Sequence, residues 1–352
     1  MATTRTGNAV KIYQIYGRDQ VANHVGSIFA NGTKIGTGYA DPRSSRVGLV
    51  TYSDTATIVA ELDTYQSYDD LVKGVTTTLA RRDISGESYL ADGLNTAWAV
   101  LNAEREPKKA RPNYKKLIIV YASTYMGTGW TDPVTLAQWV KSTGIEIAVV
   151  PTVYGPDKLK DLLCQVATPG LCFPSHDTNV VLGLQGAMLQ VNCFCPAQWT
   201  QYRDSYHDVS SNKYGVCNRG SENQATWTAS KLACQNLIQN GYLATEFSQH
   251  KVDYLYQVFQ NVSPYANSYG YHIGLNYING DWFWQQPSGV QQLPLDKNTT
   301  FWNPGYPAYS STDTGVKNKQ YGSTFWQNIK PTSVSAHYMC EVASCDTDNY
   351  CP

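Results

Sequence analysis

The residues of this chain best able to do chemistry are its histidines and cysteines, and their spacing argues against catalysis. Six histidines (His24, His176, His207, His250, His272 and His337) are scattered over 352 residues. No two form an H-E-x-x-H pair, and there is neither a G-x-S-x-G elbow nor a G-x-x-x-x-G-K-[ST] phosphate loop. His176-Asp177 and His207-Asp208 are adjacent pairs, but a base needs a nucleophile within reach in space, which neighbours in sequence do not supply. They read as solvated loop residues. All nine cysteines fall between Cys164 and Cys351. A zinc reading of Cys193 and Cys195 with Cys217 and Cys234 fits no ribbon or finger spacing. Late, clustered cysteines instead read as a disulfide-stapled C-terminal half made in an oxidising compartment. The remaining chemistry is aromatic, carried by Trp282, Trp284, Trp302, Tyr306, Tyr309 and Trp326. Such rings either sit in a core with their polar edge bonded or stack on a sugar face or a protein partner. The sequence leaves both readings open.

The bulk composition narrows the class. A formal net charge of −1 gives no case for nucleic acid or an anionic membrane. Only 16% of residues are charged, against 26 Tyr and 9 Trp, a polar-aromatic balance common in secreted binding proteins. The basic cluster Lys108, Lys109, Arg111, Lys115 and Lys116 reads as a solvated loop, with an acidic-glycan patch as the alternative. Three N-glycosylation sequons, at Asn31, Asn261 and Asn298, agree with an extracellular, secreted protein; Pro264 should reduce use of the second. No signal peptide is visible after Met1, and no run of about 18 apolar residues could span a membrane. The expectation is a sequence whose natural N-terminus is missing or replaced.

The elements that would position these residues alternate in the first half. Helical spacing predicts helices from Asp19 to Phe29, from Ser67 to Ala80, from Leu90 to Leu101, from Asp132 to Thr143, from Asp157 to Val166 and from Asp177 to Val191. Apolar runs predict strands at Arg46–Ser53, Thr57–Leu62, Lys116–Tyr121 and Ile145–Val150; residues 10 to 16 read as a strand or a helix start. Such alternation implies an α/β doubly wound sheet. The run from Arg46 to Tyr52, the loop Gly86–Leu94 leading into a helix and the run Leu117–Thr124 resemble a von Willebrand factor A-type domain, over residues 1–191. That resemblance implies a metal site built from a D-x-S-x-S motif, a Thr and an Asp. Here Ser88 stands at the Thr position, Ser123 at the Asp position, and no D-x-S-x-S occurs between residues 1 and 40. Two hydroxyls carry no charge to offset magnesium's dehydration, so these are degenerate metal positions and the domain is expected to hold no metal. If the first strand is lost with the motif, the sheet is incomplete at its centre.

The second half, residues 192–352, carries spaced motifs in order. They are Cys195-Pro196 with Trp199, Tyr214–Cys217, Trp227 to Cys234, Tyr271–Leu275, Asp281–Trp284, Trp302–Ala308, Trp326–Asn328 and Tyr338–Glu341. This order resembles the α+β C-type lectin-like domain. The resemblance implies bridges Cys195–Cys217 and Cys234–Cys340. Cys164 and Cys172 flank the turn Thr168-Pro169-Gly170, which could join them. Cys345 and Cys351 are expected to pair in a short loop, leaving Cys193 to stay free, to take Cys345 instead or to pair with another chain. The family's calcium and sugar ligands are the Glu and Asn of E-P-N and the Asn and Asp of W-N-D. Here those positions read Tyr306, Ala308, Gln327 and Asn328. Calcium wants about six to eight oxygens with carboxylates among them, and this set offers none. The two resemblances together are those of secreted nematode lectin-like proteins. They imply a non-enzymatic carbohydrate-binding protein of innate defence, without cofactor or calcium dependence, whose ligand surface comprises Tyr306, Ala308, Trp326, Gln327 and Asn328. The alternative is an extracellular protein-interaction module. Glycans or extracellular proteins are the expected partners.

Overall fold

In the computed structural model of the protein, residues 8–13, 18–29, 33–36, 44–81, 88–103, 114–153, 157–177, 179–262, 270–321 and 323–346 are described. Asn31, Cys351 and the basic residues Lys108, Lys109 and Arg111 lie outside them. The described residues form two compact units, one reaching Cys193 and one spanning Phe194–Cys345.

The first unit runs β1 (Asn8–Tyr13), α1 (Arg18–Ile28), β2 (Val47–Tyr52), β3 (Ala56–Ala60), α2 (Tyr68–Arg81), α3 (Leu90–Asn102), β4 (Lys116–Ala122), α4 (Pro133–Ser142), β5 (Ile145–Pro151), α5 (Asp157–Val166) and α6 (Val180–Asn192). The strand order is β3-β2-β1-β4-β5, parallel except for β3, which returns from β2 as an antiparallel hairpin. The central strand is therefore present. Residues 8–13 pair with β2 on one side and β4 on the other, with Ala9 beside both Val47 and Leu117. The doubt over a missing first strand is resolved in favour of a strand at 8–13. The continuous apolar run of β4 is explained by its two faces. Leu117, Ile119 and Tyr121 enter a core with residues of α1, α2 and α6, while Ile118, Val120 and Ala122 enter one with residues of α3, α4 and α5. Local chemistry sets the helix ends. Asp132 caps α4 by accepting from Thr135 N at 2.9 Å, Pro133 follows at the first helical position, and Gly144 leaves the helix at φ +85°.

The second unit runs β6 (Thr200–Arg203), β7 (Lys213–Gly220), β8 (Ala225–Thr226), α7 (Trp227–Leu237), β9 (Tyr242–Leu243), α8 (Gln249–Val262), β10 (Tyr271–Ile278), β11 (Asp281–Trp284), β12 (Leu293–Pro294), β13 (Gly315–Tyr321), β14 (Ser323–Ile329) and β15 (Ser335–Ala343). β15 is its spine. It pairs with β7, β8 and β9 antiparallel and with β10 parallel, and β10 in turn carries β11 and β13. Gly274 in β10 is required by close approach, because a Cβ there would meet Leu243 O at 2.3 Å. Its N–H instead donates to Ala244 O at 2.7 Å.

Among the described residues three disulfides are formed: Cys164–Cys172, Cys195–Cys217 and Cys234–Cys340. Each pairing is the expected one. Cys345 is also disulfide-bonded, while Cys193 is half-buried and outside the three bridges. Sequence separations of 106 for Cys234–Cys340 and 8 for Cys164–Cys172 set unequal stabilisation. In the chain-entropy account the first contributes about 5 kcal/mol and the second about 3 kcal/mol. Urea unfolding of the paired alanine variants should therefore show the Cys234/Cys340 pair costing the more of the two.

Candidate functional site

The loop preceding β13 is shaped by its own sequence. In Asn303-Pro304-Gly305-Tyr306, Tyr306 N donates to Asn303 O at 2.8 Å and Gly305 takes φ +85°. That is the turn for which Pro second and Gly third are the suited residues. The Tyr306–Pro307 peptide that follows is cis. The loop is fastened to β14 at two points. Trp302 bridges Trp326, with Asn303 N donating to Trp326 O at 3.0 Å. Asn328 then brackets Ala308: its Oδ1 accepts from Ala308 N at 2.7 Å, and its Nδ2 donates to Ala308 O at 2.9 Å and to Asp313 O at 3.2 Å.

This geometry sorts the residues expected to meet a ligand. Trp326 is fully buried, so it is a core residue and not part of the surface. Asn328 is buried too, and its carboxamide is committed to loop backbone. Ala308 and Tyr309 are exposed, Tyr309 completely, and Tyr306 and Gln327 are half-buried. What faces solvent is phenol, amide and peptide, all uncharged. Among the described residues no three His, Cys, Asp or Glu side chains converge as metal ligands. In the first unit, Ser88 is buried just before α3 and Ser123 is half-buried just after β4. Tyr89 N, donating to Ser53 O at 3.0 Å, ties the Ser88 loop to the end of β2. Both serines thus lie at the carboxyl-terminal edge of the parallel strands, the position where such sheets bind ligands. Of the other sequons, Asn261 lies in the last turn of α8 with Nδ2 donating to Gln257 O at 2.9 Å, whereas Asn298 is exposed in a turn.

Beneath the loop lies a carboxylate that no motif announced. Glu246 is fully buried and accepts from Trp326 Nε1 at 2.6 Å, Tyr271 OH at 2.8 Å and Asn318 Nδ2 at 3.0 Å. Burial pushes its carboxyl above the usual carboxylate range, against the pull of these donors. Trp326 also packs edge-on against Trp284, Phe301 and Trp302, with centroids 5.4, 5.2 and 5.5 Å away. A second buried acid, Glu341, is neutralised by Lys251 Nζ at 2.7 Å and takes further bonds from Tyr242, Thr245 and Asn218. The available sequence signal was a single Glu inside Leu243-Ala244-Thr245-Glu246-Phe247, a charge in otherwise apolar surroundings.

Residues 16–184 match the family model for the von Willebrand factor type A domain. C-type lectin domain-containing protein 160 of Caenorhabditis elegans is 28% identical over 333 residues, which is 91% of this chain and 50% of that protein. C-type lectin domain family 4 member A of Homo sapiens is 28% identical over 114 residues, 32% of this chain and 39% of that protein. The chain thus spans half or less of the length of these relatives. Among solved structures, the C-type lectin domain of murine dendritic cell inhibitory receptor 2, in complex with an N-glycan, is 22% identical. It covers 43% of this chain and 99% of its own, with a TM-score of 0.33.

Two outcomes test this geometry. Asn328→Asp removes both N–H donors from the bracket and places charge beside two carbonyls. It should cost about 1–3 kcal/mol, and added calcium should not recover it in thermal unfolding, since Tyr306 and Ala308 supply no carboxylate. His272 in β10 is buried and donates from Nε2 to Ala225 O at 3.0 Å, and burial lowers its imidazole pKa to about 4. A folded pKa below the unfolded one means the unfolded chain binds the proton first as pH falls. Stability should therefore drop by ~3 kcal/mol between about pH 6.5 and 4. The difference in urea-unfolding free energy between the parent protein and His272→Gln should shrink by that amount across the window.

Proposed function

Because the chain joins a von Willebrand factor A-type domain to a C-type lectin-like domain, we propose that it is a secreted recognition protein that binds glycans without calcium and serves in defence against microbes. The observation carrying this reading is the bracket at Asn328. Of the two side-chain amides at the expected ligand positions of β14, Gln327 and Asn328, that of Asn328 is spent on Ala308 and Asp313 backbone. That leaves a rigid loop presenting Tyr306, Ala308 and Tyr309, with Gln327 alongside. An exposed phenol ring supplies a flat apolar face for a sugar's C–H surface, and Gln327 supplies a donor and an acceptor for its hydroxyls. Three disulfides, the exposed Asn298 sequon and the absence, among the described residues, of a helix long and apolar enough to cross a membrane support the extracellular assignment.

A second reading, an extracellular protein-interaction module, is favoured by Trp130. This ring is 96% exposed on the 3-10 turn Gly129–Thr131, which follows β4 at the ligand-binding edge of the first sheet. Large exposed aromatics of this kind are the anchors of protein interfaces. The full-length protein on a glycan array separates the two. The first reading expects signals that persist in EDTA and fall at least about tenfold in Tyr309→Ala, the loss of one stacking contact of roughly 1.5 kcal/mol. Signals abolished by the chelator would overturn it. A blank array, with capture of a protein partner lost in Trp130→Ala, would support the second.

A further inference from the structure

Away from the loop, the second unit holds a cavity of about 570 Å³ between β7, the start of β15 and the end of α8. That volume falls in the range of small-molecule sites. Its lining includes the apolar Leu237 and Val258 and two tyrosines, Tyr206 and Tyr338. Its polar lining includes Arg219, Glu222 and Asn223. Arg219 is half-buried on β7, and its guanidinium makes no hydrogen bond or ion pair with any described residue. Two buried acids of this unit, by contrast, are saturated: Glu341 is paired with Lys251, and Glu246 accepts from three side chains. A guanidinium left with open donors in a concave site is a fork built for a planar anion.

The charge count restricts that anion. One Arg stands against one exposed acid, Glu222, in the same wall. A single negative charge can be matched by Arg219; a dianion such as a phosphate monoester would face the excess repulsion of Glu222. The tyrosine faces, with the Asn223 and Glu222 side chains as hydroxyl partners, suit a hydroxylated ring. We propose that this cavity is a second ligand site, separate from the Tyr306–Tyr309 loop, and that it takes a carboxylate-bearing sugar such as a uronic acid. The carboxylate lies on Arg219 and the ring lies against Tyr206 or Tyr338. The site owes nothing to the loop, so it stands or falls independently of glycan binding there.

Calorimetric titration of the full chain in EDTA with glucuronate, glucose and inorganic phosphate tests it. Glucuronate should bind at least about tenfold more tightly than glucose, as a charge-assisted bidentate contact requires, and more tightly than phosphate. Arg219→Met should remove the preference, and Arg219→Lys should weaken it by keeping the charge and losing the fork. Glu222→Gln, at an exposed position, removes a negative charge from the lining and should raise the preference for glucuronate over glucose, a readout that holds even if an Arg219 variant fails to fold. Tyr309→Ala should leave the preference for glucuronate over glucose as it was. Equal binding of glucose and glucuronate, glucuronate binding indifferent to both Arg219→Met and Glu222→Gln, phosphate binding tighter than glucuronate, or no glucuronate binding would each overturn the proposal.

Discussion

The second unit depends on one sealed carboxylate. Glu246 follows β9, and its partners come from β10 (Tyr271), β13 (Asn318) and β14 (Trp326). A bare carboxylate at that depth would cost several kcal/mol, and the donors offset most of this by replacing water around both oxygens. Because the partners sit on three different strands, satisfying the acid fixes where those strands lie. The indole that donates to it is the same ring on which Trp284, Phe301 and Trp302 pack. The Trp302–Ala308 loop, fastened at Trp302 and Asn328, inherits its position from this buried group.

Two buried acids thus solve one problem in different ways. Glu341 is met by a cation, Lys251, and a ring of neutral donors; Glu246 is met mainly by neutral donors. Neither presents charge to a ligand. The same economy holds in the first unit, where Ser88 and Ser123 put hydroxyls at the sheet edge. The architecture of both units is carried by covalent staples and apolar layers, and the groups left exposed on the Tyr306–Tyr309 loop are rings and peptide.

Most of the first unit was legible because its elements carry local signals. Buried parallel strands need continuous apolar runs, and the helices covering them need stripes at helical spacing; both survive in Ile118–Ala122 and in Leu94, Ala97 and Leu101. Residues 8–13 were ambiguous because a weakly alternating segment becomes a strand only when β2 and β4 offer it two ladders. In the second unit the spaced tryptophans and cysteines carried a resemblance that implied two disulfides, Cys195–Cys217 and Cys234–Cys340, but not which rings face solvent. Trp326 and Tyr309 are both aromatic residues of the expected ligand region, yet one is fully buried and the other fully exposed.

Residue identity along the chain therefore determined the α/β alternation of the first unit and, through the families its motifs resemble, the second fold class and the expected bridges, since motifs and apolar runs are local properties. Tertiary structure alone decided that Asn328 serves the backbone, that Glu246 bonds to Trp326 and that Arg219 lines a cavity with Tyr206 and Tyr338. Each of these is a pairing of groups distant in sequence, brought together only when the sheet closes, and no local pattern encodes which partner a polar side chain will find.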